Sequence, residues 1–428
     1  MVRAVGGRAG PDAVRERDAG RPPSPRSPGV FRYSRSGGSS RHVSPRQRRR
    51  GHHGPDQGHG RSLSAATVRV RTRDGEYSVL VGTGLLADLP RALTESVGAR
   101  RYAVISDDNV ASIHGHPIME RLRESGLDAS LFTFPAGEAS KTRKSWSILT
   151  DEMLEAGYGR DACVVAVGGG VTTDLAGFVA ATYLRGIPVA QIPTSYLAMI
   201  DASVGGKTGV DVHAGKNLVG AFHPPRLVVA DTEVLRTLPR DERAQGLVEA
   251  FKHGAILDAA YFERLEAGVH GLLEADAGAA ADAVLRSVEL KAGVVSEDEF
   301  EGGYRQILNF GHTLGHALEA ASKYAMGHGS AVALGMLLEA ELGERLGVTE
   351  PGTRERLAGP LLRIVGLPRS LDVGAAVPYL RSDKKVRAGR IRVVLLRRLG
   401  EVDPGEGWSH EVSESLLVEV LATAAKAP

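Results

Sequence analysis

The sequence predicts an α/β protein in which an N-terminal domain carries a largely parallel sheet and a C-terminal domain is mostly helical. Between Thr67 and about residue 240, short apolar strands alternate with helical stretches, which is typical of helices that cover a parallel sheet. After about residue 241, apolar residues recur at the helical period with few strand signals. A chain of 428 residues is also long enough for two domains with sizeable cores.

Each strand is predicted from its own local pattern. VRVRT and YSVLVG flank Asp74-Gly75, a dipeptide typical of a tight β-hairpin. Further strands are predicted at RYAVISDD, ASLFTF, ACVVAVGGG, IPVAQIP and RLVVAD. In the second domain, helices are predicted over 241–271, 274–299 and 311–346, followed by a late hairpin over 386–402.

The first 66 residues differ from the rest of the chain in composition. They hold 14 Arg, no Lys and four acidic residues, a net charge of +10, whereas the remaining residues carry −8. A segment rich in Arg, Gly, Pro and Ser buries too little apolar surface to fold. A disordered extension, a transit peptide and sequence upstream of the true start all fit, and we expect a dispensable extension or a misassigned start. A basic arm that binds nucleic acid is less favoured, because the folded part is acidic.

The composition also bears on the compartment. The one cysteine, Cys163, lies in the apolar run ACVVAVG, so we expect a buried structural thiol and no internal disulfide. No stretch approaches 18 uninterrupted apolar residues, and the N-terminus lacks the apolar core of a secretory signal. We therefore expect a cytoplasmic protein without a membrane or nucleic-acid partner.

Two histidines four residues apart, His312 and His316 in LNFGHTLGHALE, are the most informative chemical feature. Positions i and i+4 share one face of a helix. Together with His328 and Glu249, these imidazoles supply the ligand types of a catalytic divalent-metal site. The spacing alone suggests that both members of the pair bind metal, although such a pair also occurs at the surface or the edge of a core.

Glycine-rich turns after predicted strands indicate nucleotide binding. GGGVTTDLAG (168–177) follows an apolar strand and opens a helix, where backbone N–H groups can bind a pyrophosphate. GEASK (137–141) is a second candidate nucleotide loop. DASVGGKTGVDVHAGKN (201–217) is too glycine-rich for a regular helix, so we expect a loop whose Lys207 and Lys216 bind phosphate or carboxylate.

Basic residues recur beside these motifs. Glu249 and Lys252 lie three residues apart and share a helical face. Lys291 and Arg305 flank the acidic run EDEFE, and DKK at 383–385 precedes the late hairpin. Each of these is ordinary alone, but together they predict an anionic substrate.

Taken together, the motifs closely resemble the 3-dehydroquinate synthase family of the sugar-phosphate cyclases. The resemblance runs from about residue 68 to 400 and leaves out only the first 66 residues and the extreme C-terminus. The blocks that carry it, in order, are GEASK, GGGVTTDLAGF, ATYLRG, QIPTSYLAMIDASVGGKTG, GKNLVGAFHPP, TLPRDER, GLVEAFKHG, LNFGHTLGHALE and HGSAVALGM.

The resemblance implies an NAD-binding domain at 67–240 and a helical metal- and substrate-binding domain at 241–428, with the active site in the cleft between them. It implies one divalent ion, Zn²⁺ or Co²⁺, and its ligands would be Glu249, His312 and His328. The residues that would contact NAD are Asp107, Glu138, Lys141, Gly169, Gly170, Val171, Asp174, Thr194, Ser195, Lys207, Lys216 and Thr237. The residues that would contact substrate are Arg185, Asp201, Lys207, Asn217, Lys252, Lys291, Arg305, Asn309, His316 and one lysine of the pair Lys384–Lys385, here taken as Lys385.

The family's substrate is 3-deoxy-D-arabino-heptulosonate 7-phosphate, whose phosphate and carboxylate account for the many Lys and Arg residues. The implied reaction belongs to the shikimate pathway of aromatic amino-acid biosynthesis. A hydroxyl is oxidised by NAD, phosphate leaves by β-elimination, the hydride returns, and an aldol step closes the ring to 3-dehydroquinate. The resemblance thus implies a phosphate-eliminating lyase, and a homodimer is expected.

Two other interpretations remain open. Another cyclase, such as amino-dehydroquinate synthase, would share most of the blocks, while VGGKTG, GKN and GHTLGH argue against a 2-epi-5-epi-valiolone or 2-deoxy-scyllo-inosose synthase. A metal-dependent polyol dehydrogenase would share the two-domain plan but would need fewer partners for phosphate and carboxylate and would consume NAD. Ser195 and Asp211 stand where the family commonly has Thr and Asn, a mild departure near the expected cofactor.

Overall fold

A computed structural model describes residues 65–213, 215–323, 325–366, 373–382 and 391–424. All of them belong to one compact unit that begins at Arg61. Residues 1–64, which make up most of the Arg-rich extension, lie outside the described residues, as does 383–390, which contains DKK.

Thirteen strands are described, and those of the first half of the chain alternate with helices, as the sequence predicts. The strands are β1 (Ala66–Thr72), β2 (Gly75–Gly82), β3 (Arg101–Asp107), β4 (Asp128–Phe134), β5 (Ala162–Gly168), β6 (Val189–Pro193), β7 (Lys207–Val212), β8 (Gly215–Phe222), β9 (Leu227–Asp231), β10 (Ile391–Val393), β11 (Leu396–Arg398), β12 (Glu401–Val402) and β13 (His410–Val412).

Seven strands form the central sheet in the order β1-β2-β9-β6-β5-β3-β4. β1 is antiparallel to β2 through the predicted hairpin, and the other neighbours are parallel. This confirms the predicted sheet. The turn between β1 and β2 lies one residue earlier than predicted, at Arg73-Asp74, because Gly75 already begins β2. β3, β5, β6 and β9 are buried almost throughout, because apolar cores cover both faces. Cys163 on β5 is a buried free thiol, as predicted.

Helices dominate the chain after β9 and confirm the predicted helical C-terminal part. The α-helices are α1 (Leu89–Ser96), α2 (Asp108–Val110), α3 (His116–Glu124), α4 (Arg143–Glu155), α5 (Gly170–Thr182), α6 (Arg240–Leu257), α7 (Ala259–Leu273), α8 (Ala277–Glu297), α9 (His312–Ala321), α10 (His328–Arg345), α11 (Thr353–Ile364), α12 (Val373–Ser382) and α13 (Glu414–Ala424). None of the described helices has the length and apolarity needed to cross a bilayer.

The predicted long helices are interrupted. The prediction over 241–271 becomes α6 and α7, because Asp258 adopts an extended backbone and caps α7 by accepting from the Tyr261 N–H at 2.9 Å. The prediction over 311–346 likewise becomes α9 and α10, and this break gives the site two helix N-termini instead of one.

The interpretation of 201–217 as a loop is wrong, since β7 and β8 form an antiparallel hairpin from Lys207 to Phe222. The high glycine content led to the prediction of a loop, but the hairpin itself requires glycine where its two strands approach closely. Gly209 pairs with Gly220, and a Cβ atom on Gly220 would lie 2.1 Å from the Thr208 carbonyl oxygen. The late hairpin also differs from the prediction, because β11 pairs with β12 whereas β10 pairs with the more distant β13.

Close packing of α9 against α10 prepares the functional site. A Cβ atom on Gly335 would lie 1.9 Å from the Gly311 carbonyl oxygen, so only glycine allows this approach. His312 and His328 are the first residues of these two helices. Their ring centroids consequently lie only 5.6 Å apart.

Candidate active site

Three helices bring Glu249, His312 and His328 to one point. Glu249 lies in the middle of α6 and is fully buried. Its Oε1 lies 3.6 Å from His312 Nε2 and 3.6 Å from His328 Nε2. The three ligand atoms are close enough to one another to hold a single metal ion. Two imidazole nitrogens and a carboxylate form the donor set of a catalytic zinc-type site.

Glu249 itself fits a cation. Both carboxylate oxygens are buried, and neither accepts a hydrogen bond from the described residues, although Lys252 forms an ion pair with Oε2. Burial opposes ionisation of Glu249, but Lys252 and the two imidazoles outweigh burial and hold the pKa well below its ordinary value. A buried, ionised carboxylate with unsatisfied oxygens is a ready metal ligand.

The two histidines differ in their protonation. Burial lowers the pKa of His312 well below its ordinary value, and the Lys252 ammonium adds to this effect. Burial also opposes the charge on His328, but Glu249 and Glu319 outweigh it and raise the pKa to about 9. A metal that binds these nitrogens would therefore displace a proton from His328, because only the unprotonated nitrogen is a ligand.

His316 lies one turn beyond His312 and is exposed. Its ring centroid is 5.1 Å from that of His312 and 5.8 Å from that of His328. Its ligand atoms approach those of Glu319 and His328, and not those of Glu249. The i, i+4 pair therefore belongs to one site, but only His312 shares a metal-sized cluster with Glu249.

Several cations surround this cluster, and carboxylates hold them. Lys291 forms an ion pair with Asp201 and donates to the Asp201 carbonyl oxygen at 2.6 Å. Lys207, at the start of β7, forms an ion pair with Glu301. Glu301 also accepts from Asn309 Nδ2 at 2.7 Å. Carboxylate partners thus hold the lysine ammonium groups in defined positions around the site.

Arg305 is a further buried cation at this site. Its side chain is almost completely buried, and Nη2 donates to the Gly205 carbonyl oxygen at 3.2 Å. A Cβ atom on Gly205 would lie 2.4 Å from that nitrogen, and φ of Gly205 is +99°, so glycine is needed here for both space and conformation. Burial lowers the pKa of Arg305 and also lowers that of Lys291 to about 8. Burial raises the pKa of Asp201, but Lys291 and Lys252 outweigh it and bring the pKa well below its ordinary value.

A second group of residues lies at the carboxyl ends of β3, β5 and β6, where parallel sheets commonly bind ligands. Gly169 is the N-cap of α5, and Gly170 is its first residue. A Cβ atom added at Gly169 would lie 3.4 Å from Ser195 Oγ, and one added at Gly170 would lie 3.6 Å from the Leu197 side chain and 3.7 Å from Ala202 Cβ, which are ordinary contacts. Neither glycine has a positive φ. The protein's own packing does not require glycine there, so the pair leaves a space that a ligand at the helix N-terminus can use.

Neighbouring side chains frame this helix end. Asp107 caps α2 by accepting from the Asn109 and Val110 N–H groups at 3.1 Å, and it accepts from Thr172 Oγ1 at 3.2 Å. The Thr194 N–H donates to the Gly168 carbonyl oxygen at 2.9 Å. The predicted cofactor residues Val171 and Ser195 adjoin these positions.

Lys141 lies at the centre of an acidic cluster on the same side. Its buried Nζ lies 3.0 Å from Glu138, 3.3 Å from Asp174 and 3.8 Å from Asp211. Burial opposes its charge, but the carboxylates outweigh burial and raise the pKa of Lys141. Burial also raises the pKa of Asp174 to about 6. Lys216 joins the cluster, 3.4 Å from Glu138.

The structure places three further predicted residues, and a fourth lies outside the part of the chain that it describes. Arg185 is exposed at φ +70°, and its side chain forms no hydrogen bond or ion pair with the described residues. Thr237 contacts His114, whose Nε2 lies 2.8 Å from Thr237 Oγ1. Asn217 lies in the β7–β8 hairpin, where its N–H donates to Asp211 Oδ1 at 2.8 Å. Lys385 lies outside the described residues.

Three carboxylates at the site were not among the predicted site residues. Glu319 lies 3.5 Å from His328 Nδ1 and 3.0 Å from Lys216 Nζ. Glu301 and Asp211 hold Lys207 and Lys141, as described above. Glu319 ends the block LNFGHTLGHALE, and its position three residues after His316 was the available signal.

Comparison with known proteins agrees with this architecture. The family model of the 3-dehydroquinate synthase N-terminal part matches residues 131–245, and that of the C-terminal part matches residues 246–386. The curated 3-dehydroquinate synthase of Xanthomonas campestris pv. campestris (strain 8004) is 45% identical over 360 residues, which cover 81% of this chain and 95% of that protein.

Solved structures of related cyclases share the fold. A 2-deoxy-scyllo-inosose synthase complexed with carbaglucose-6-phosphate, NAD⁺ and Co²⁺ superposes with a TM-score of 0.77 at 27% identity, covering 83% of this chain and 99% of that one. A 2-epi-5-epi-valiolone synthase from Streptomyces hygroscopicus subsp. jinggangensis 5008, with NAD⁺ and Zn²⁺ bound, gives 0.75 at 30% identity, with coverages of 83% and 98%. The matched family models span more than half of the chain, and together with the similarity over its length they decide the assignment. The chain therefore belongs to the 3-dehydroquinate synthase family of phosphate-eliminating lyases.

Proposed function

We propose that this chain converts 3-deoxy-D-arabino-heptulosonate 7-phosphate to 3-dehydroquinate and phosphate with NAD and one divalent cation, Zn²⁺ or Co²⁺. The observation that carries the proposal is the meeting of a buried Glu249–His312–His328 cluster with a row of ordered cations. Lys252 pairs with Glu249 itself, so the two parts adjoin. A substrate with two anionic ends and an oxidisable hydroxyl needs both parts at once.

The Glu249–His312–His328 cluster supports the assignment of a metal. Glu249, His312 and His328 would hold the ion, in keeping with the unsatisfied buried oxygens of Glu249. Two nitrogens and one carboxylate leave open positions for substrate. When bound, the cation would supply Lewis acidity at the substrate hydroxyl and the dinucleotide reversible hydride transfer.

The helix N-terminus at Gly169-Gly170 supports the assignment of NAD. The two glycines leave space beside the backbone, and the N–H groups of the first turn of α5 suit a pyrophosphate. Related cyclases carry NAD⁺ in the complexes described above. Lys141, Asp174 and Lys216, with Glu138, would border the remainder of the dinucleotide.

The remaining side chains would bind and orient substrate. Lys252 and Lys291, each nearly fully buried, present ammonium groups whose attraction for an anion is strengthened by the low local dielectric. Arg305 offers a planar guanidinium suited to bidentate contact with a carboxylate or phosphate. Lys207, Asn217, Asn309 and His316 would add hydrogen bonds. Arg185 would join them through contacts that form on binding, and Lys385 is assigned to the substrate by the family resemblance alone.

The number of buried cations favours this substrate over that of a polyol dehydrogenase. A dehydrogenase that acts on an uncharged polyol would have no anionic substrate group to bind to Lys252, Lys291 and Arg305, although burying such cations is costly. An amino-dehydroquinate synthase would use the same cations, so the two cyclase activities differ in the substrate they accept.

The test is a phosphate-release assay with the heptulosonate phosphate, with and without NAD⁺ and a chelator. We expect phosphate and 3-dehydroquinate in equal amounts, loss of activity in chelator, and no accumulation of NADH. His312→Ala should lose the metal-dependent turnover. Stoichiometric NADH formation would contradict the proposal, and turnover only of an amino analogue of the substrate would favour the amino-dehydroquinate activity.

Three further expectations belong to the same proposal. The domains would meet near residue 240, with the site in the cleft between them. The protein would work in the cytoplasm as a homodimer without a nucleic-acid or membrane partner. Sedimentation equilibrium at micromolar concentration tests the dimer, and a single monomeric species would contradict it.

A further inference from the structure

Glu319 is a buried carboxylate for which the proposed reaction has no use. It lies on α9 seven residues after His312, so both side chains project from the same helix face. Its side chain is only 6% exposed. Burial of a charge is unfavourable unless partners compensate it, so its partners indicate why it is there.

The first partner is His328, whose imidazole lies between two carboxylates. Nε2 is 3.6 Å from Glu249 Oε1, and Nδ1 is 3.5 Å from Glu319 Oε2. A histidine that binds a metal through Nε2 carries its proton on Nδ1. A carboxylate that accepts a hydrogen bond from this Nδ1–H fixes both the tautomer and the rotation of the ring.

The second partner is Lys216 on β8. Its Nζ donates to Glu319 Oε1 at 3.0 Å and lies 3.4 Å from Glu138. The two contacts of Glu319 use different oxygens and can therefore form together. One carboxylate thus joins the first residue of α10 to the β7–β8 hairpin, a segment more than 100 residues away in sequence.

We infer that Glu319 is a positioning residue that orients His328 for the cation and holds Lys216 for the dinucleotide, without being a cation ligand itself. The inference rests on the proposed function, because it places the cation among Glu249, His312 and His328. The competing arrangement is a cation among His316, Glu319 and His328, whose ligand atoms also lie within 4.8 Å of one another. That arrangement would use His328 Nδ1 and would take Glu319 away from Lys216.

The variants that separate these roles are Glu319→Gln and Lys216→Met, with His312→Ala and His316→Ala as references. Glu76→Gln is the matched control, because it breaks an exposed ion pair with Arg69 on the β1–β2 hairpin, far from any proposed role. The full-length protein is titrated with Co²⁺ against a chromophoric chelator and with NAD⁺ by calorimetry. The absorption spectrum of bound Co²⁺ reports on its ligands.

We expect Glu319→Gln to weaken Co²⁺ binding about 10- to 100-fold, the usual effect of losing such an outer partner of a ligating histidine. The Co²⁺ spectrum keeps its shape, because the ligands remain. Glu319→Gln also weakens NAD⁺ binding. Lys216→Met weakens NAD⁺ binding but leaves Co²⁺ affinity within about threefold, because it leaves Glu319 in place beside His328. Glu76→Gln behaves as the parent.

Two results would overturn the inference. One is a Co²⁺ affinity of Glu319→Gln within about twofold of the parent, which is far less than the usual loss when the outer partner of a ligating histidine is removed. The other is a changed Co²⁺ spectrum in Glu319→Gln together with loss of binding in His316→Ala, which would make Glu319 a ligand. If the parent and His312→Ala bind Co²⁺ equally, the proposed cation site fails instead. Should Glu319→Gln fail to fold, Glu319→Asp keeps the charge and gives the same readouts.

Discussion

Replacing Lys252 by methionine should weaken catalysis and yet tighten metal binding. Lys252 and Glu249 form an ion pair in which both side chains are essentially unexposed. Methionine has nearly the volume of the lysine stem, so packing around α6 should be retained. The change therefore removes one charge beside Glu249 and little else.

The magnitude follows from the burial of the pair. Breaking a buried ion pair by removing one partner costs about 3–5 kcal/mol of unfolding free energy, so the metal-free variant should be clearly less stable than the parent. A positive charge about 5 Å from another interacts with it by about 3 kcal/mol at an effective dielectric constant of about 20. Removing this repulsion should tighten Zn²⁺ or Co²⁺ binding by about 10- to 100-fold after the site relaxes.

The assay is urea unfolding of Lys252→Met and the parent, with and without metal, together with metal titration. Metal at about 1,000 times its dissociation constant adds about 4 kcal/mol to the stability of the folded state, so it should restore most of what Lys252→Met loses. Lys291→Met is the matched control, because it breaks an equally close pair with Asp201, which is not a proposed ligand. Its metal-dependent gain should equal that of the parent. Metal binding by Lys252→Met that is no tighter than in the parent would refute the reasoning.

Four other predictions concern Gly170, the binding and the stability effects of Lys291, and the N-terminal extension. Gly170→Ala should raise the dissociation constant for NAD⁺, measured by calorimetry, at least tenfold. The free energy of unfolding should stay within about 1 kcal/mol of the parent, because alanine fits the protein and suits a helix. Unchanged NAD⁺ affinity would contradict a pyrophosphate site at Gly169-Gly170. Burial lowers the pKa of Lys291 to about 8, so the KM for substrate should rise as pH increases through 8, and a flat KM in that range would argue against a substrate role. The same shift makes stability increase between pH 8 and about 10.4, where the unfolded state binds the extra proton. Removing residues 1–66 should leave turnover within about twofold if the extension is dispensable as its composition indicates, and loss of turnover would contradict that.

Local patterns were sufficient to predict most of the sheet. Apolar runs such as β5 are buried on both faces and need no partner to be recognised. The β7–β8 hairpin was missed because its glycines matter only through pairing, where Gly220 lies against the Thr208 carbonyl oxygen. β13 was missed for a similar reason, since its partner β10 is not its neighbour in sequence. Tertiary contacts of this kind leave no periodic signal.

The site shows the same limit. The spacing of His312 and His316 located a functional helix face, and the structure then separates them because His312 begins α9 beside Glu249 while His316 faces Glu319. No spacing rule could supply this, because the close approach of α10 depends on Gly335 meeting the Gly311 backbone. Glu319, Glu301 and Asp211 were not predicted as site residues because each holds a lysine that is far away in sequence, as Glu301 holds Lys207.

Those carboxylates change how anion binding should be understood. Lys252, Lys291, Lys207 and Lys216 each hold a carboxylate partner in the structure. A substrate phosphate or carboxylate would therefore have to replace an internal carboxylate as the partner of each lysine, because the lysines are already paired. Such exchange gives up affinity, because each internal ion pair must be weakened, but the cations are already ordered, so little side-chain entropy is lost on binding. It also favours selectivity, since a ligand with one anionic group could replace only part of the network, whereas a substrate with two can replace partners at both ends.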